Sequence, residues 1–337
     1  MHSSGVEGSR IGVLDALRFV AALFVVFGHV GNPPLTGALD RSDALQHVII
    51  GVYNNLFPAV PAVIVFFVIS GFCIHYPFRH GGRFQVPPFL ARRYLRIGIP
   101  LAVAVLLARP FDVRLALFHN SILWSLAAEL IYYTLYPGLR WLRARWGWGR
   151  IVGASYLLAC GGILVHPEAL DYSPFGIGLN WLIAAPCWLL GCWLAEVDFA
   201  AVRWDRVQLW SWRLGVWGLG VVCSVLRFHS PVGYPWTLNL FAIAVALWLR
   251  VEIAANRVHP TPRVWAWAGL WSYSMYLVHM IANSAFERFP GTPGGAMLAW
   301  MLRLGFVLVT SYAFYLLVEK LAHRAARRAG AALQAAP

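Results

Sequence analysis

Apolar runs follow one another along the whole chain, separated by short polar stretches rich in arginine. They lie at 11–30, 57–76, 97–108, 121–139, 151–165, 179–197, 214–228, 236–250, 264–283 and 296–318. Most approach the ~20 residues that a helix needs to cross a hydrocarbon layer ~30 Å thick. The runs at 97–108 and 151–165 fall short and are expected to extend into their flanks, tilt, or stop at a cavity. Only helices or closed barrels satisfy their backbone groups in lipid, so the pattern predicts an all-α polytopic bundle of about ten transmembrane helices.

Charge adds an orientation. Basic residues gather between alternate runs: Arg79, Arg83, Arg92, Arg93 and Arg96; Arg140, Arg143, Arg145 and Arg150; Arg203, Arg206 and Arg213; Arg250, Arg257 and Arg263; then Lys320, Arg324, Arg327 and Arg328. The other loops hold few, chiefly Arg41, Arg109, Arg114, Arg227 and Arg288. The positive-inside rule then predicts an even number of spans with both termini in the cytoplasm.

Composition narrows the class further. Of 337 residues 60% are hydrophobic and 12% charged, with a mean hydropathy of +0.63, which excludes a soluble fold able to hide that surface. The net charge of +13 sits beside the spans, so anionic lipid headgroups are the expected partners and nucleic acid is not. Met1–Arg10 lacks the layout of a cleaved signal, so the first run is expected to remain as a span. Residues 1–321 are expected to form one integral membrane domain and 322–337 a short basic cytoplasmic tail. Cys73, Cys160, Cys187, Cys192 and Cys223 include no C-x-x-C pair, so neither a disulfide frame nor a metal site is expected.

The first run carries Asp15, Arg18 and His29. Charged residues at a helix centre cost roughly 2.5–3.5 kcal/mol each on insertion scales, and therefore tend to face a bundle interior and mark a functional path. Arg18 and His29 are eleven positions apart, close to three full turns, which places them on one helix face ~16 Å apart. Asp15 and Arg18, at i and i+3, form a natural intrahelical pair. Among the histidines His29 is the leading base, since an imidazole with a pKa near 6.5 is largely neutral at cellular pH. His279, which follows Tyr273 and Tyr276, is a weaker candidate. His75, His119 and His166 are expected near span ends, and His2, His259 and His323 in solvent. Trp141, Trp146, Trp148, Trp265 and Trp267 fit an interfacial aromatic belt.

Four stretches taken in order resemble the acyltransferase-3 family of integral membrane O-acyltransferases. LDALRFVAALFVVFGHV fits an Arg, ten residues, His pattern through Arg18 and His29, preceded by Asp15. VFFVISGFCI supplies Ser70, Gly71 and Phe72; FLARRYLRIGIP supplies Arg93 and Arg96 before Pro100; WSLAAELIYYTLYP supplies Trp124, Ser125 and Glu129. SYSMYLVH and VEKLAHR look like the family's closing elements. Two departures stand out: Leu130 follows Glu129 where a second acid is frequent, and Leu321 stands where Pro is common after Glu-Lys.

The resemblance implies transfer of an acyl group, usually acetyl, from cytoplasmic acyl-CoA to a hydroxyl of a carbohydrate or other hydroxylated acceptor, at a bacterial inner membrane. Such chemistry needs cations for the CoA phosphates, a base for the hydroxyl and donors for the oxyanion. On that basis Arg18, Arg92, Arg93 and Arg96 are expected to hold acyl-CoA. His29 is expected as general base or transient acyl carrier, with Glu129 and Asp15 in support. Ser70, Gly71, Trp124, Ser125 and His279 are expected at the substrate or in structural motifs. The competing readings are a secondary transporter of a small anionic or sugar-like solute, which should show paired halves, and a catalytically silent sensor.

Overall fold

The computed structural model describes residues 11–37, 42–113, 115, 123–199, 204–289 and 295–335. Met1–Arg10, Arg41, Arg114, His119, Arg203 and residues 336–337, on which some of the expectations fall, lie outside them. Among the described residues every regular element is helical. In order these are α1 (Gly12–Val30), α2 (Ala44–Asn54), α3 (Ala59–His75), α4 (Val86–Ala108), α5 (Trp124–Ile163), α6 (Gly176–Leu194), α7 (Arg206–His229), α8 (Tyr234–Val258), α9 (Arg263–Ala268), α10 (Ser272–Glu287), α11 (Ala296–Phe314) and α12 (Lys320–Ala335). Short 3₁₀ turns intervene, and a π turn at Tyr315–Glu319 joins α11 to α12.

Seven helical segments among the described residues are long and apolar enough to cross a membrane. Among the described residues the expected apolar runs fall largely on helix, but several helices run further than the apolar pattern. α4 begins at Val86 and carries Arg92, Arg93 and Arg96 in its first turns. α5 is two helical stretches that meet at Gly147, whose φ of 70° and ψ of 160° leave the helical region, so the arginine-rich stretch 140–150 does separate two helices as expected, although each runs further into it than the apolar pattern. α2 lay outside the expected runs. Its Leu45, Val48, Ile49 and Val52 form an exposed apolar stripe at helical spacing.

Small residues set how the helices approach. A Cβ on Gly71 of α3 would overlap the Trp188 carbonyl of α6, and one on Gly191 of α6 would overlap the Val68 carbonyl of α3. The two helices therefore touch backbone to backbone, the arrangement by which membrane helices gain packing without a solvent-driven force between them. Likewise a Cβ on Gly28 would stand 2.6 Å from the Ala59 Cβ, which fixes α1 against α3.

Charges inside the bundle are paired. Arg213 of α7 grips Glu252 of α8 with Nε at 2.6 Å and Nη2 at 2.9 Å, and Trp248 Nε1 donates to the same carboxylate at 2.9 Å. The expected tail is a helix: α12 lies along α4 with Ala322, Ala326 and Gly330 buried, while Arg324, Arg327 and Arg328 face outward. Trp141, Trp146, Trp265 and Trp267 are exposed as a belt requires, but Trp148 is only 2% exposed. Trp148 faces inward because its indole meets His75, itself buried.

The α3–α6 contact yields a direct expectation. Gly71→Ala should lower the stability of the detergent-solubilised protein by about 1–3 kcal/mol, the usual range for overpacking. Gly153→Ala, where a methyl group meets open space, should leave the melting temperature unchanged or raise it. Thermal melts of both variants check this.

Candidate active site

Two polar clusters lie along α1, one around Arg18 and one around His29. Arg18 Nη1 donates to Asp15 Oδ1 at 3.3 Å, the i, i+3 pair expected from the spacing. Its side chain keeps 25% of its surface, against 6% for Asp15. The close approach of Gly269 to the Asp15 backbone brings the start of α10 beside this turn of α1.

Glu129 is the hub of the Arg18 cluster. Ser70 Oγ donates to its Oε1 at 2.5 Å, and the Tyr133 hydroxyl donates to the same oxygen. Trp188 Nε1 in turn donates to Ser70 Oγ at 3.2 Å, a reach that depends on the α3–α6 contact. Asp15, Glu129 and Tyr133 each lie within electrostatic range of Arg18. From α4, Arg93 sits over the Tyr133 ring at 5.8 Å and the Phe89 ring at 5.9 Å, and Arg96 lies in the field of Arg18, Arg93 and Glu319. Arg18, Arg93 and Arg96 are thus gathered around Tyr133 and Glu129, with Asp15 and Glu319 beside them, and guanidiniums so grouped suit an anionic ligand.

Arg92, expected with them, is turned the other way. Its Cγ, Cδ and Nη1 lie against Gly330 of α12, so it packs under the C-terminal helix. Three helix positions separate Arg93 from Arg96 and keep them on one face, whereas Arg92 is rotated about 100° from Arg93.

At the other end of α1, His29 is exposed and its ring stands 5.1 Å from that of His279, at an angle of 41°. His279 is fully buried, with Nδ1 2.7 Å from the Tyr276 carbonyl and 3.2 Å from that of Met275. Tyr276 shares a hydrogen bond of 2.8 Å with Ser125 at the start of α5, which ties α10 to the Trp-Ser-Leu stretch. Trp124 stacks on Tyr172 with ring centres 4.6 Å apart. Ser125 and His279 therefore belong to the His29 end, while Ser70, Glu129 and the arginines belong to the Arg18 end. Gly71 acts as a packing residue.

Several buried groups escaped sequence reasoning. Glu319, 1% exposed, accepts from Ser274 N at 3.1 Å and Ser274 Oγ at 2.5 Å. His323, expected in solvent, stands 3.4 Å from Glu319 Oε1. A carboxylate directly at the end of an apolar run was the available signal for Glu319. His75 ends α3, as expected of a residue near a span end, yet it is 1% exposed, with Nδ1 2.9 Å from the Tyr136 hydroxyl and Nε2 2.8 Å from Glu196 Oε1. Arg143 binds that same Glu196 oxygen at 2.5 Å.

Comparison with known proteins gives one result. A family model described as an acyltransferase domain, of the acyltransferase-3 type, matches residues 11–319, which include both clusters. No curated protein and no solved structure matches the chain.

Ser70→Ala and Tyr133→Phe each remove one hydroxyl donor from Glu129. A double-mutant cycle on thermal or denaturant stability should return a coupling of about 0.5–3 kcal/mol, as for residues within one hydrogen-bond network. Strict additivity would show that Glu129 is not their shared acceptor.

Proposed function

The chain belongs to the acyltransferase-3 family of membrane acyltransferases, and from that premise we propose that it carries an acyl group, acetyl foremost, from acyl-CoA to a hydroxyl of a carbohydrate or other hydroxylated acceptor. The observation that supports this reading is the division of α1 between an arginine-rich end and a histidine end, ~16 Å apart along one helix. Arg18, Arg93 and Arg96 bind the phosphate-bearing donor, and the pantetheine arm runs along α1 toward His29. In this reading the bundle crosses the bacterial inner membrane about ten times with both termini inside, so that the donor enters from the cytoplasm.

At the His29 end the acceptor hydroxyl oxygen attacks the thioester carbonyl as His29 takes the hydroxyl proton. The tetrahedral intermediate collapses with cleavage of the carbon–sulfur bond, and the CoA sulfur leaves with the proton returned by the imidazolium. A variant of this route passes the acyl group through His29 itself before the acceptor takes it. Glu129 holds the donor site in shape by gathering Ser70, Tyr133 and the facing arginines. The two separated clusters suit a donor bound at one end and a reaction at the other, which is why we favour transfer over solute transport.

Acetyl-CoA titrated into purified detergent-solubilised protein should bind saturably. Arg93→Ala and Arg96→Ala should each weaken that binding by about 1.5–3 kcal/mol, the range for hydrogen bonds to charged groups. His29→Ala should keep the affinity and lose release of free CoA thiol. Absence of saturable binding by folded wild-type protein would overturn the proposal, and wild-type turnover by His29→Ala would remove His29 from it.

A further inference from the structure

The buried ring of His279 has a settled tautomer. The carbonyls of Tyr276 and Met275 can only accept hydrogen bonds, so the Nδ1 facing them at 2.7 and 3.2 Å carries the proton. Nε2 is then a bare lone pair, and among the described residues it has no hydrogen-bond partner although the residue is fully buried. An unsatisfied acceptor in that setting is costly. Such an atom calls for a donor. It cannot itself stabilise the oxyanion of acyl transfer, because a lone pair repels negative charge.

The ring beside it is His29, 5.1 Å away between centres. That separation brings the two ring edges to hydrogen-bond distance once they turn toward each other. His29 is exposed and makes no hydrogen bond to a described residue, so its ring is free to turn. We infer that His279 is a positioning residue for His29, accepting the N–H of one His29 ring nitrogen on Nε2 so that the other His29 nitrogen is left bare and aimed at the acceptor hydroxyl. A base needs its reactive nitrogen unprotonated, and a free imidazole divides its single proton between two nitrogens. A fixed acceptor on one side removes that division. The geometry rests on α10: Gly269 holds its start against α1 at Asp15, and the Ser125–Tyr276 bond holds its middle against α5. His279 thereby couples the histidine end of α1 to the Trp-Ser-Leu element without touching the substrate.

The role given to the bare nitrogen rests on the acyl-transfer reading, whereas the pairing of the two rings does not. The test separates them. Full-length protein labelled with ¹⁵N in its histidine rings is prepared in lipid nanodiscs as wild type, His279→Ala and His279→Gln, with His29→Gln used to assign the His29 signals. Wild-type protein should show His29 in one neutral tautomer, with a coupling across an N–H···N bond to His279. His279→Ala should show both His29 tautomers. His279→Gln, whose carbonyl oxygen restores an acceptor at the position of Nε2, should return His29 to one.

In the same preparations, thiol release from acetyl-CoA with water as acceptor should fall about 10–100-fold in His279→Ala, the range seen when a partner that orients a functional imidazole is removed. Acetyl-CoA affinity should stay within about twofold, and His279→Gln should recover part of the rate. Unchanged His29 signals in folded His279→Ala, or no coupling between the rings in wild type, overturns the inference even if thiol release proceeds. If the rings are coupled but wild-type protein neither binds nor cleaves acetyl-CoA, the pairing stands and the acyl-transfer reading fails.

Discussion

Helices α3 and α6 meet backbone to backbone at Gly71 and Gly191, and because no side chain stands between them the Trp188 indole reaches Ser70. Ser70 is thereby turned onto Glu129, and Glu129 presents the carboxylate around which Arg18, Arg93 and Tyr133 collect. A close contact with no chemistry of its own thus determines where charge is held in an apolar bundle. The same logic operates at Gly269, whose lack of a side chain lets the turn before α10 press on α1 at Asp15.

Buried charge in this bundle falls into two kinds. Arg213 and Glu252 form a closed bidentate pair, and Arg143, Glu196 and His75 form a closed triad. Such groups hold helices in register, and removing one partner leaves the other uncompensated in low dielectric. The Arg18 cluster is different, because cations from α1 and α4 meet the carboxylates around them without closing into a bidentate pair among the described residues. At the opposite end, the buried nitrogen of His279 is an acceptor in search of a donor. Closed groups account for architecture; the open ones coincide with the two ends of α1.

Much of this was legible in the sequence where the relevant distance lies within one helix. The Arg18–His29 spacing, the Asp15–Arg18 pair and the common face of Arg93 and Arg96 come from helical period alone. What escaped were relations between segments distant in the chain. Nothing local to His279 announces that its ring meets His29, some 250 positions away. Nothing in the arginine cluster of α4 singles out Arg92 until α12 is laid across it. Hydropathy also stopped the helices too early. Arginines at 140–150 lower the apolar average, yet helix runs into that stretch from both sides and breaks at Gly147. Trp148 and His75 mislead for a related reason: amphipathic side chains suit an interface, but hydrogen bonds to each other let them be buried.

The π turn at Tyr315–Glu319 has a consequence for the chain's tolerance of change in length. A π turn is a single extra residue accommodated in an α-helix, and each residue rotates the remainder of the helix by about 100°. Here the extra residue lies between α11 and the helix that covers α4, and its last member is Glu319, bonded to Ser274. Which side of α12 faces α4, with its alanines inward and its arginines outward, is therefore a matter of residue count as much as of composition. A one-residue deletion within α11 that left the π turn and every side chain of α12 in place would turn the alanine face of α12 away from Arg92, whereas a deletion in the π turn itself would restore a regular α-helix. In that sense the join between the last two helices is a phase setting written in chain length.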